Sequence, residues 1–274
     1  MERITHVPEA NRQWSARFNR YAFQSLSFLK SITAIALFFL LWEIAPRMGM
    51  VDAVFMPPFS TVLASGFELA LNGQLFSHIS ASFTRSIIGF LVGMIIAIPL
   101  GLVIGWFTTF SKWLTPLLEL FRNTAALAVL PVFILLLGIG ELSKVAVVIY
   151  ACFFPILIST ISAVRHVDPL YIKAGKSLAL TPYRLFMKII LPASVPTIFV
   201  GLRLAAASSI LVLVAAEMIG AKAGLGYLII SSQHTFQIPH MYVGILTISI
   251  IGLGVNALLV FIEKKTVALE MTSK

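Results

Sequence analysis

Residues 86–111, "SIIGFLVGMIIAIPLGLVIGWFTTFS", run for 26 positions without an Asp, Glu, Lys or Arg. A helix needs ~20 such residues to cross the ~30 Å hydrocarbon core of a bilayer. The stretch is therefore predicted to be a membrane helix. Its small residues recur at every fourth position, at Gly89, Gly93, Ala97, Gly101 and Gly105. That spacing strips bulk from one stripe and lets another helix approach closely. The partner can be a helix of the same chain or a subunit interface.

Composition extends this reading to the whole chain. Of 274 residues, 59% are hydrophobic and only 11% charged, with a mean hydropathy of +0.97. A soluble domain of this length needs far more polar surface, so lipid is the solvent for most of it. The formal charge of +9 would suit a nucleic-acid binder. The basic residues lie between apolar runs, however, where they meet anionic headgroups or a cytoplasmic partner, and no nucleic acid is expected. Cys152 is the single cysteine, so no intrachain disulfide can form. The polar, basic residues 1–25 and the first apolar run lead to no A-x-A-like site, so no cleavable signal is expected.

Further charge-poor runs lie at 123–140, 145–164 and 189–216, the last interrupted by Arg203. Others lie at about 28–46, which contains Lys30 and Glu43, and at 241–262, after Pro239 and His240. The predicted fold class is an all-α membrane protein of about six transmembrane helices, with both termini on one side. Fifteen Lys and Arg fall in the N-terminal tail, the loops near 112–122 and 165–191, and the C-terminal tail. Four (Arg47, Arg85, Lys144 and Lys222) fall in the opposite loops. The excess assigns the termini and the 165–191 loop to the cytoplasm. The expected organisation is a cytoplasmic tail over 1–25, a transmembrane domain over 26–264 and a second tail over 265–274. Between the first two spans, Ser60 is expected to cap a short helix. Its Leu63, Phe67 and Leu71 would lie on the outer interface or pack on the bundle.

The 165–191 loop carries Gly175-Lys176-Ser177, the ending of a phosphate-binding loop. The full pattern G-x-x-x-x-G-K-[ST] requires a glycine at 170, which is Leu170, and a preceding strand, which is not apparent. The match is a coincidence. Asp168-Pro169 and Thr181-Pro182 instead read as two helix starts, each an N-cap followed by proline. Helices are expected over about 169–180 and 182–190, with Lys173 and Lys176 on one side of the first and Tyr171 and Leu178 on the other.

"KAGKSLALTPYRLFMKIILP", residues 173–192, resembles the EAA loop (roughly E-A-A-x3-G-x9-I-x-L-P) of the integral-membrane permease subunits of bacterial ATP-binding-cassette importers. Ala174 and the ending Ile189-Ile190-Leu191-Pro192 keep the pattern. Lys173, Gly175 and Ala179 stand where Glu, Ala and Gly are usual. "FMPPFSTVL", "LGIGELSK", "FFPILIST", "VRHVDP", "GLRLA" and "VAAEMIGAKAGLGYLI" are similar to the nitrate/sulfonate/taurine/bicarbonate branch, and the resemblance covers about residues 55–264. It implies a multi-pass subunit of the bacterial plasma membrane that forms the pathway for a small anionic or sulfonate-like solute, as a homodimer. Two separate ATPase subunits and an extracytoplasmic solute-binding protein complete the assembly. ATP and Mg belong to the ATPases, so this chain is expected to hold no cofactor and to be no enzyme. The loop between spans four and five becomes a coupling helix, with Lys173, Ala174, Gly175, Lys176, Ser177, Leu178, Ala179, Leu180, Thr181, Pro182, Leu191 and Pro192 as its coupling residues.

Ionisable groups at membrane depth are costly unless they face protein or water. Arg203 and Glu217 are fourteen residues apart, so they share a face and stand ~21 Å apart on one helix. Each is a candidate for the translocation pathway or for a structural contact between helices. Pro131 and Pro155 fall inside spans three and four, where kinks can serve gating or packing. Glu119 and Arg122 are expected to pair at the cytoplasmic interface. The five histidines have no ligand spacing, and no metal site is expected. The competing class is an ion-gradient-driven secondary transporter or channel. Few acidic groups at mid-membrane and a structured basic loop argue against it. An intramembrane enzyme lacks a nucleophile–base pair.

Overall fold

The computed structural model describes residues 33–272, with side chains described for 33–107 and 109–263. The N-terminal tail, the start of the first predicted span and the side chains of Lys264, Lys265 and Lys274 lie outside the described residues. The chain divides into two compact units, one ending at Ala64 and the other beginning at Ser65. In the first, α1 covers residues 33–47. Trp42 Nε1 donates to the Pro57 carbonyl (3.1 Å). Glu43 is bridged to Arg47 (2.6 Å) and accepts from both the backbone N–H and the hydroxyl of Ser60 (2.9 Å each). Ser60 therefore lies in the first turn of α2 (Phe59–Leu71) rather than capping it, and the Glu43 carboxylate caps that turn by accepting the Ser60 N–H. Leu63, Phe67 and Leu71 are all exposed, as an interfacial stripe requires.

The second unit is built on three helices: α3 (Gln74–Trp106), α6 (Glu141–Arg165) and α9 (Leu191–Glu217). Helix α6 lies between the other two. The small-residue stripe of α3 fits onto it. A methyl group added at Gly101 would reach 2.7 Å from Thr160 Cβ, and one at Gly105 would reach 2.7 Å from Val164 Cβ. Gly93 meets Cys152 in the same way at 3.2 Å. The stripe is thus an intrachain packing surface. On the other side, Gly201 of α9 lies against Ser159 and the Pro155 carbonyl of α6. Ile104, Val148, Ile156, Leu157, Leu202 and Leu213 fill the core between the three helices.

Four helices of the described residues are long and apolar enough to cross a membrane, or five if one bent pair counts as a span. The bent pair corrects the expectation of a continuous third span over 123–140. Amphipathic α4 (Thr108–Arg122) turns through 85° into a short 3-10 segment (Ala126–Val129) and α5 (Leu130–Leu137). Eight residues of α-helix rise only ~12 Å. Pro131 is in the first turn of α5, so it starts a helix and kinks none. Other predicted boundaries move because charge or proline was taken as an end. Helix α3 starts twelve residues before 86 and carries Arg85 inside it, and α11 (Ile238–Thr272) begins before Pro239. Helix α8 (Pro182–Leu185) runs through a π-helical turn (Phe186–Ile190) directly into α9.

Candidate functional site

Two places gather the residues singled out in the sequence. The first is the loop after α6. Asp168 Oδ1 accepts from the Leu170 N–H (2.8 Å) and opens α7 (Pro169–Ser177). Thr181 Oγ1 accepts from the Arg184 N–H (3.4 Å) and opens α8. Between them the chain turns through a Schellman motif: Leu180 N–H to the Gly175 carbonyl (3.2 Å) and Ala179 N–H to the Lys176 carbonyl (3.0 Å). Ala179 occupies the left-handed position of that motif, with φ 52°.

The inner face of α7 is built around Gly175. Gly175 is buried, and a methyl there would come within 2.6 Å of both Leu185 and Ile189. Ile172 and Leu180 join it over Val164, Val167 and Ile190, with Trp106 packed edge-on to Phe186 at the base. Tyr171 and Leu178 face outward, as do Lys173, Ala174, Lys176 and Ser177. Leu178 is 75% exposed and Tyr183 70%. Thr181 and Pro182 are also exposed, while Leu191 and Pro192 begin α9 beyond the π-helical turn. The Ser177 hydroxyl donates to the Lys173 carbonyl (3.1 Å), so Gly175-Lys176-Ser177 ends a helix and forms no phosphate cradle.

The second place is a buried cluster of charge. Glu217, at the end of α9, is completely buried. Its carboxylate takes Arg85 Nη1 (2.6 Å), the Ser82 hydroxyl (2.8 Å) and the Gly226 N–H (3.0 Å). Arg85 reaches out from α3 and also clasps Glu141, through Nε and through Nη2 (2.7 Å), and the Ala223 carbonyl (2.7 Å). Lys144 is buried beside them and donates to the Gly140 carbonyl (2.9 Å). The segment from α9 to α10 (Leu225–His234) is tied down by this cluster, because Ser82 Oγ also accepts the Leu225 N–H (2.8 Å). Gly224 has φ 125°, and a side chain there would strike the Glu217 carboxylate. Arg85, Lys144 and Glu217 are buried, and Glu141 reaches them from the exposed side, so that two cations and two anions balance one another, which is what allows the buried three below the surface.

Sequence reasoning assigned Arg85 and Lys144 to outer loops and so missed that they surround Glu217. The available signal was Glu217 itself, a carboxylate in an apolar run that needs a cation. Arg203 stays apart from this cluster. Its Nη1 lies 3.3 Å from Glu263 Oε2 and ties α9 to α11. Leu130, next to Pro131, packs on Ala216, the neighbour of Glu217. Below the cluster an apolar cavity of about 190 Å³ separates α3, α9 and α11, with Ser82, Ser86 and Ser209 on its wall. Among the described residues no three His, Cys, Asp or Glu side chains could share a metal ion.

These features match a known architecture. The family described as "Binding-protein-dependent transport system inner membrane component" matches residues 89–267. The chain belongs to this family. It is therefore a permease subunit of an ATP-binding-cassette importer, a multi-pass inner-membrane protein and not an enzyme. The permease is 31% identical to the taurine transport system permease protein TauC of Escherichia coli (strain K12), covering 83% of this chain and 86% of that one. It is 32% identical to the nitrate import permease protein NrtB of Leptolyngbya laminosa, covering 70% and 69%. Among solved structures, the inward-facing MetNI methionine ABC transporter shares its fold, with a TM-score of 0.63 at 14% identity over 70% of this permease and 96% of that chain. Membership of the family implies ATPase subunits and a solute-binding protein as partners.

Proposed function

We propose that two copies of this permease form the pathway for a small anionic or sulfonate-like solute, with both termini and the α7 loop in the cytoplasm and about six spans per copy. The first span includes α1, and α4 and α5 together form the broken third. The names of the relatives support the solute class, since taurine is a sulfonate and nitrate an oxyanion. The charge asymmetry of the loops supports the orientation. The pathway runs along the helices without a cofactor on this chain, and ATP and Mg act on the ATPases.

One observation carries the coupling role. Helix α7 is packed from beneath through Gly175, yet it turns Tyr171, Ala174 and Leu178 outward beside two lysines. A partner surface would cover those apolar groups and meet the lysines with carboxylates, including the Lys173 that stands in place of the usual Glu. Motion of an ATPase cleft around α7 would pass through the Leu185–Ile189 packing into α9. Arg203 and Glu217 then act as helix ties that keep the bundle rigid while it moves. The test is Ala174→Trp in the complete transporter. The expected result is normal insertion of the permease with at least ~10-fold less ATPase co-purifying, as loss of a packed contact predicts. Full assembly and transport in this variant would remove the loop from the coupling role.

A further inference from the structure

A cleft of about 190 Å³ opens between α4 and the C-terminal end of α6, with Thr115, Glu119, Arg122, Ser162, Arg165 and His166 as its polar lining. Two guanidiniums and an imidazole thus face a single carboxylate. The expected pairing of Glu119 with Arg122 does not occur. Among the described residues, Arg47, Arg85 and Arg203 each hold a carboxylate within 4.0 Å, but neither Arg122 nor Arg165 does. Both hydroxyls have partners within the protein. Thr115 donates to the Ser111 carbonyl (2.7 Å), and Ser162 is bonded to His166 Nδ1 (3.2 Å). Arg165 donates one N–H to Ser111 Oγ. A guanidinium carries five N–H donors in a planar fork matched to the oxygens of a phosphate or sulfonate. Most of that capacity is unspent on both arginines.

We propose that this cleft binds an oxyanion group of the phosphate or sulfonate type, held between Arg122 and Arg165. Two sources offer that chemistry: the headgroup of an anionic phospholipid and a free oxyanion. The outer face of α4 presents Phe110, Trp113, Leu117 and Leu120 as an exposed apolar stripe, with Trp113 83% exposed, so the cleft borders a surface suited to lipid. Arg165 ends α6 three residues before the Asp168 cap of α7. A bound anion would therefore pin α4 to the root of the loop. The compartment that supplies the anion rests on the orientation proposed above, whereas binding itself does not.

The full-length chain, purified in an uncharged detergent, is titrated with inorganic phosphate against chloride at matched ionic strength. In parallel it is titrated with short-chain phosphatidylglycerol against short-chain phosphatidylcholine. Binding to the folded state raises the unfolding temperature saturably. The expected result is such a rise with phosphatidylglycerol, with phosphate, or with both. A response to phosphate assigns the site to free oxyanions as well, and a response to phosphatidylglycerol alone assigns it to the headgroup. Arg122→Gln with Arg165→Gln should weaken the response at least ~10-fold, and Glu119→Gln, which removes the one repelling charge, should tighten it ~3-fold. The gain in Glu119→Gln cannot arise from a damaged fold, so it keeps the test decisive if the double variant unfolds. The proposal is overturned by no rise with either ligand, by an equal rise with phosphatidylcholine, by an undiminished rise in the double variant, or by weaker binding in Glu119→Gln.

Discussion

Ala179 and Glu217 show two ways in which single residues hold this permease together. Ala179 carries a β-carbon in a left-handed conformation, φ 52°, that glycine adopts freely. Ala179→Gly should therefore stabilise the α7–α8 turn by about 0.5–1 kcal/mol, after allowance for the entropy glycine adds to the unfolded chain. Hydrogen exchange at the Leu180 amide should slow accordingly. Glu217 sits at the opposite extreme, since its removal strands a buried cation. Glu217→Gln leaves Arg85 with Glu141 as its one carboxylate, whose side chain is 66% exposed. The expected cost is about 3–5 kcal/mol, seen as lost yield and a lower unfolding temperature. Pairing Arg85→Met with Glu217→Gln should cost less than the two single changes summed, because each removes the other's unpaired charge. Strict additivity would mean that the two side chains do not act as a unit.

Among the elements, α3 and α6 depend on glycine. Gly101→Val would force the helices apart where Thr160 Cβ already stands 2.7 Å from an added methyl. Overpacking of this kind costs about 1–3 kcal/mol. Gly252 on α11 is the control, since nothing lies within 4 Å of a side chain there. Gly252→Val should leave the unfolding temperature of the isolated chain unchanged. Comparing the two thermal curves checks both. If Gly101→Val is silent as well, the stripe is not what sets the spacing of α3 on α6.

For the whole molecule, orientation and division of labour are the measurable properties. A thiol at Ser177→Cys, on the exposed face of α7, should react with a membrane-impermeant maleimide in inverted vesicles and not in intact cells. Cys152 is buried and should stay silent in both. Labelling in intact cells would reverse the orientation. The purified permease, free of partner subunits, should hydrolyse no ATP, because its Gly175-Lys176-Ser177 lies at the end of a helix. Turnover that survives removal of every ATPase subunit would refute this.

Read by itself, the amino-acid sequence determined the features that depend on local chemistry. Long apolar runs require helices in lipid, Asp168-Pro169 and Thr181-Pro182 start helices, and Leu170 rules out a phosphate-binding loop. The resemblance of residues 173–192 and of the flanking stretches was equally legible, and it led to the family. Tertiary structure alone decided which side chains meet. Arg85 looked like a loop residue because a hydropathy reading ends a span at a charge. Its partners Glu141 and Glu217 are 56 and 132 residues away, and only folding brings the three charges together. The same holds for the break at 123–125 and for the outward turn of Tyr171 and Leu178. Apolar composition records how much surface must leave water, and says nothing of which neighbour covers it. That neighbour is chosen by shape: Gly101 against Thr160 and Gly175 against Leu185.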